Sequence, residues 1–78
     1  MGTKSFKADK ILCRKFGEKI RFLRQENGLK QDELAFLSKI SPSYLSAIER
    51  GITDTTISTL KRLAKALNVE PYELLLFP

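Results

Sequence analysis

The feature that most narrows the fold is a spacing. From Leu12 to Leu75 apolar residues return every three or four positions, and no segment alternates apolar and polar residues as a half-buried strand would. A period near 3.6 belongs to helices that bury one face, so the expected fold class is all-α. Punctuation divides the pattern into five helices. The first spans about Ala8 to Glu26, with Leu12, Phe16, Ile20 and Leu23 on one stripe and Asn27-Gly28 at its end. A second, about Gln31 to Ser38, directs Leu34, Ala35 and Leu37 inward. The third has Ser41 as a cap that accepts a free backbone N–H, Pro42 at the first helical position, where a missing N–H costs nothing, and Gly51 as its stop. In the fourth, about Thr56 to Leu67, Asp54 and Thr55 are candidate caps, Ile57, Leu60, Leu63, Ala64 and Leu67 face the core, and Asn68 suits the end. Pro71 opens a fifth, PYELLLF. With 78 residues the expectation is one compact five-helix domain over residues 1–78, of which 1–7 form a flexible basic arm.

Composition excludes several kinds of function. A chain that is 42% apolar and 29% charged reads as globular, and no apolar run approaches a membrane span or a signal peptide, so a cytoplasmic protein with no membrane partner is expected. Cys13 is the single cysteine and there is no histidine, which excludes an internal disulfide, an ordinary zinc site and Ser-His or Cys-His nucleophile pairs. The thiol reads as buried and inert. The acids of QDE at 31–33 are explained as favourable charges at a helix start. No enzyme activity, cofactor, metal or small-molecule ligand is expected. The formal charge of +5 is uneven, because residues 1–24 carry eight of the fourteen Lys and Arg against Asp9 and Glu18. That asymmetry suits a polyanion such as nucleic acid, and equally a solvated basic face.

The short third helix sharpens the choice. At about 100° per residue Leu45 and Ile48 define its inward side, while Ser43, Ser46, Ala47 and Arg50 fall opposite, flanked by Pro42 and Tyr44. Two short helices joined by a tight turn and braced by a longer first helix make a helix-turn-helix, whose second helix can enter the DNA major groove. Small side chains permit close approach to base edges, where Ser donates or accepts and Ala touches a thymine methyl.

The segments IRFLRQENGLKQDELA at 20–35, SYLSAIERG at 43–51 and LKRLAKALNVEPYELL at 60–75 resemble the Cro and phage-repressor (XRE-like) helix-turn-helix regulators, and with their spacing cover most of the chain. The resemblance implies a lambda repressor-like domain, encoded by a prokaryote or phage, that binds a pseudo-palindromic double-stranded DNA operator as a homodimer. Length and lack of an effector domain also resemble the controller proteins of restriction-modification systems, features that small phage-type repressors share. A different class remains open, a protein-interaction module such as an antitoxin-like partner.

By this resemblance Gln31 bonds a DNA phosphate at the start of the second helix, and Pro42, Ser43, Ser46 and Ala47 face the bases. Tyr44 is either a contact to the sugar-phosphate backbone or a partly buried packing residue. Arg50 reaches a phosphate or a base, and Glu49 forms a structural ion pair with Arg24. Three features depart from the family. Lys30 stands where a capping residue is usual, and is expected to touch phosphate instead; the loop ITDTT lacks the basic residues common in relatives; and Pro42 replaces a polar reader. Specificity is therefore expected to lean on DNA shape and half-site spacing. The C-terminal YELLLF exceeds what so small a core needs, so Tyr72 with Leu76 or Phe77 is assigned to a dimer interface, core closure being the alternative. Phe6, Phe22 and Phe36 have no assigned role.

Overall fold

The computed structural model describes residues 8–78. The basic arm assigned to residues 1–7, and Phe6 within it, lie outside the described residues. Four α-helices follow in order, α1 (Lys10–Glu26), α2 (Gln31–Leu37), α3 (Pro42–Glu49) and α4 (Ile57–Ala66), and a 3-10 helix (Pro71–Leu75) succeeds them. The expected fifth α-helix is thus a short 3-10 helix. Its bonds run three residues apart, from Glu73 N–H to Glu70 C=O and from Leu76 N–H to Glu73 C=O, and the extended backbone at Leu76 ends it before an α-helical register can be established.

Each α-helix start has a local cause. Asp9 accepts from Leu12 N–H at 3.0 Å and Ser41 from Tyr44 N–H at 3.1 Å. For α4 the cap is Thr56, whose hydroxyl accepts from Thr59 N–H at 3.1 Å, rather than Asp54 or Thr55. Asp54 instead accepts the Cys13 thiol, at 3.2 Å. Lys30 has no acceptor to offer α2, but its own N–H is taken by the Glu33 carboxylate at 2.7 Å, the half of a capping box that needs no hydroxyl. Left-handed residues close the helices: Lys39 after α2, Gly51 after α3 and Asn68 after α4. An added Cβ at Gly51 would stand 2.6 Å from Arg14 Cα, so this stop also brings the end of α3 against α1.

The core takes Phe16 and Ile20 from α1, Leu34 and Ala35 from α2, Leu45 and Ile48 from α3, Leu63, Ala64 and Leu67 from the fourth helix and its end, and Leu74. α1 packs on α3, α2 on α3 and α4, and the 3-10 helix on α1 and α4. Three expected core residues are outside it. Leu12 is 46% exposed because α1 is rolled so that Cys13, Phe16, Gly17 and Ile20 face inward. Leu37 is 51% exposed, while Ser38, a full turn after Leu34, is buried in its place. Ile57 is 85% exposed: it shares the angular position of Ala64 but occupies the first residue of α4, where its turn projects past the packed region.

Burial pushes the Cys13 thiol above its ordinary value of 9.0, and the bond to Asp54 and the charges of Asp54 and Asp9 push the same way. A raised thiol pKa favours the folded state fully below the ordinary value and ceases to do so as pH rises through the raised one. The urea midpoint should therefore fall more between pH 8 and pH 10 in the wild type than in Cys13→Ala. Equal falls would show that the thiol is not held in this way.

Candidate nucleic-acid interface

Helix α3 is anchored from one side and open on the other. Leu45 and Ile48 are fully buried, while Pro42, Ser43 and Arg50 are exposed and Ser46 and Ala47 half-buried. Arg50 folds back along the helix, its Nε donating to Ser46 C=O at 3.3 Å, and leaves the rest of its guanidinium outward. Ser43 Oγ lies 3.4 Å from Ser41 Oγ, close to the capped end. Tyr44 is half-buried against the core, and its hydroxyl donates to Asp54 C=O at 3.2 Å, which ties α3 to the loop that follows it. The packing role of Tyr44 is thus visible directly, and its phenolic proton is engaged within the protein.

The end of α3 is held by a charge cluster drawn from three helices. The Glu49 carboxylate is wholly buried, accepting Arg24 Nε on one oxygen at 2.7 Å and Arg24 Nη2 on the other at 3.0 Å. This two-point fork fits the planar guanidinium to the carboxylate. Arg24 Nη1 also donates to Leu29 C=O at 2.9 Å, fixing the chain as it leaves α1. The Glu49 bond holds the Arg24 guanidinium above its ordinary range, with burial opposing and the charge of Glu49 adding. Gln31 Nε2 donates to Glu49 Oε1 at 3.1 Å, and Arg21 Nε stands 3.7 Å from the same oxygen at the exposed rim. Through Glu49 the start of α2 is therefore locked to the end of α3. One amide hydrogen of Gln31 is committed inside the protein, and the other has no hydrogen-bond partner among the described residues.

Two parts of this arrangement were not visible in the sequence pattern. Gln31 and Glu49 are 18 positions apart, and only the packing of α2 on α3 joins them. Arg62 of α4 donates to Ser38 C=O at 2.9 Å, holding the α2–α3 turn from behind, and its Nη2 donates to Thr59 Oγ1 at 3.2 Å. Lys30 is exposed beside Gln31. Tyr72 and Leu76 are exposed at the C-terminal end, whereas Phe77 packs partly on the core and lines an apolar cleft with Phe22. Phe77 thus serves core closure as well as surface. Among the described residues no group of three or more His, Cys, Asp or Glu is placed to hold a metal, and no helix is long and apolar enough to cross a membrane.

Comparison with known proteins gives consistent matches. A family model described as helix-turn-helix matches residues 20–74. Control protein C.BamHI of Bacillus amyloliquefaciens is 36% identical over 63 residues, which are 80% of this chain and 78% of that protein. The crystal structure of the restriction-modification controller protein C.AhdI from Aeromonas hydrophila superposes with a TM-score of 0.78 at 44% identity, covering 80% of this chain and 94% of that one. SinR, a master regulator for biofilm formation solved in complex with DNA, superposes with a TM-score of 0.73 at 36% identity, covering 77% and 97% of the two chains.

Proposed function

The chain belongs to the helix-turn-helix family of XRE type, and from that premise we propose that it regulates transcription by binding a pseudo-palindromic operator as a homodimer. The observation that carries this reading is the contrast across α3. One side is fixed by Leu45, Ile48 and the Arg24–Glu49–Gln31 cluster, and the other offers small side chains to the outside. A rigid helix with little side-chain bulk can lie close to base edges in the major groove.

In this reading Pro42, Ser43, Ser46 and Ala47 face the bases, Arg50 meets a base or a phosphate, and Lys30 and the second amide N–H of Gln31 meet the sugar-phosphate backbone. Tyr44 contributes by bracing the loop after α3. Tyr72 and Leu76 provide the centre of the dimer contact, with Phe77 at its edge. Similarity to C.AhdI, a restriction-modification controller protein, supports a target among restriction-modification genes, and the promoter of the protein's own gene is a further expected site. Few strong base readers stand on the open face, so specificity rests in large part on DNA shape and on half-sites about one helical turn apart.

Selection of bound sites from random duplex DNA tests the proposal. Wild type should yield a motif with two symmetric halves, and a Ser43→Ala, Ser46→Ala, Arg50→Ala variant should blur it. Recovery of no motif would favour a protein-interaction module, for which the exposed Phe22 and Phe36 would be the natural contacts. The Lys30 assignment has its own test. Lys30→Ser restores a capping hydroxyl and should stabilise the fold by roughly 0.5 to 2 kcal/mol. The same change should weaken operator binding and lower its salt dependence by about one unit of log-log slope per half-site. An unchanged slope would remove Lys30 from the interface.

A further inference from the structure

The loop after α3 carries Asp54 and no cation, yet a cluster of cations stands beside it on a different element. Lys10 and Arg14, one turn apart on the outer face of α1, line a cleft with Arg50, Gly51 and Ile52 at the end of α3. Their placement follows from the close approach of Gly51 to the Arg14 backbone, which draws the first turns of α1 against the C-terminal end of α3. Both side chains are exposed, and among the described residues neither forms an ion pair. Of the neighbouring acids, Asp9 accepts from Leu12 N–H and Asp54 from the Cys13 thiol, while Glu18, one turn beyond Arg14, forms no ion pair with it among the described residues.

We propose that Lys10 and Arg14, with Arg50, form a second anchor for the operator's sugar-phosphate backbone, taking the place of the basic loop residues that this chain lacks. The proposal rests on the function assigned above. A recognition helix enters the groove with its N-terminal residues against the bases, so its C-terminal end rises to the groove edge, where a phosphate strand runs. Lys30 and Gln31 hold one point of the backbone at the start of α2. The cleft holds a second, roughly 15 Å along α1 from Arg24, the residue that binds Glu49 beside Gln31, and two separated points fix the tilt of α3 in the groove as one point does not. Because Lys10 and Arg14 stand on a capped 17-residue helix, their backbone has less freedom than that of loop residues would have.

The test measures operator affinity against salt for the full chain, using the site selected by wild type. The Lys10→Gln, Arg14→Gln variant should reduce the log-log slope by about two units per half-site while selecting the same base motif. Phosphate-ethylation interference should lose contacts at one backbone position in each half-site. Arg14→Lys, which retains the charge, should keep the slope, as should Lys65→Gln on α4, and thermal melts of all variants should match wild type. Should Lys10→Gln, Arg14→Gln fail to fold, Lys10→Gln alone is read instead, with a loss of about one unit per half-site. If wild type selects a site and these variants bind it with an unchanged slope, the second anchor is refuted and the regulator assignment stands. If wild type selects no site, both fall together.

Discussion

Arg24→Ala should cost about 3 to 5 kcal/mol of folding stability, the range for breaking a buried ion pair by removing one partner. The buried Glu49 carboxylate would be left with Gln31 and with an Arg21 that stands 3.7 Å away and half in solvent, neither of which replaces a two-point fork at 2.7 and 3.0 Å. A chain of this length has on the order of 4 to 12 kcal/mol in total, so the variant sits near the edge of folding. Glu49→Gln should lie in the same direction, since it leaves Arg24 charged beside a neutral amide. Glu33→Gln is the control, because Glu33 accepts only an exposed backbone N–H at the start of α2, worth about 1 kcal/mol or less. At roughly 4 to 8 °C per kcal/mol for a domain of this size, the two glutamates separate clearly in a thermal melt. Equal shifts would mean that the cluster is not what holds α3. Replacing both Arg24 and Glu49 by Leu should recover much of the loss, since a neutral apolar pair leaves no uncompensated charge.

How far these interactions were legible in the sequence depends on their reach along the chain. Local signals were readable where one residue type solves one local problem: Ser41 and Pro42 begin α3 and Gly51 ends it, as expected from backbone chemistry alone. Where neighbouring residues could do the same job, the choice was lost, and Thr56 caps α4 although Asp54 and Thr55 were equally good candidates. Periodicity identified the stripes but not their centres. A helix rolls by tens of degrees to suit its neighbours, which removed Leu12 from the core of α1 and exchanged Leu37 for Ser38 at the end of α2. The 3-10 geometry of PYELL was hidden because Pro71 starts either kind of helix. At the interface, the outward face of α3 followed from helical angles, whereas the Arg24–Glu49 pair entered through family resemblance alone. Gln31 as a third member, and Arg62 behind the turn, depend on how α2 meets α3 and α4, which no local pattern encodes.

Gly17 lies buried inside α1. In an exposed helix interior Gly→Ala is worth about 1 kcal/mol of stabilisation. At Gly17 the sign should reverse. An added Cβ would overlap the Ile48 carbonyl oxygen and stand 2.8 Å from that of Glu49, both backbone atoms that cannot swing aside as a side chain can. Relief requires α3 to move off α1, and overpacking of this kind costs roughly 1 to 3 kcal/mol. The displacement acts on the carbonyls of the residues that also supply Ile48 to the core and Glu49 to Arg24, so it should loosen the ionic cluster too. Gly17→Ala is therefore expected to melt several degrees below wild type and to bind operator more weakly even at temperatures where it is folded. Lys15→Ala, on the solvent side of the same helix, should do neither. Because the two effects share one cause, Gly17→Ala combined with Arg24→Ala should lose less than the sum of the single losses. Additive losses would separate the α1–α3 contact from the placement of Glu49, and a wild-type melt for Gly17→Ala would show that the helices have room to spare.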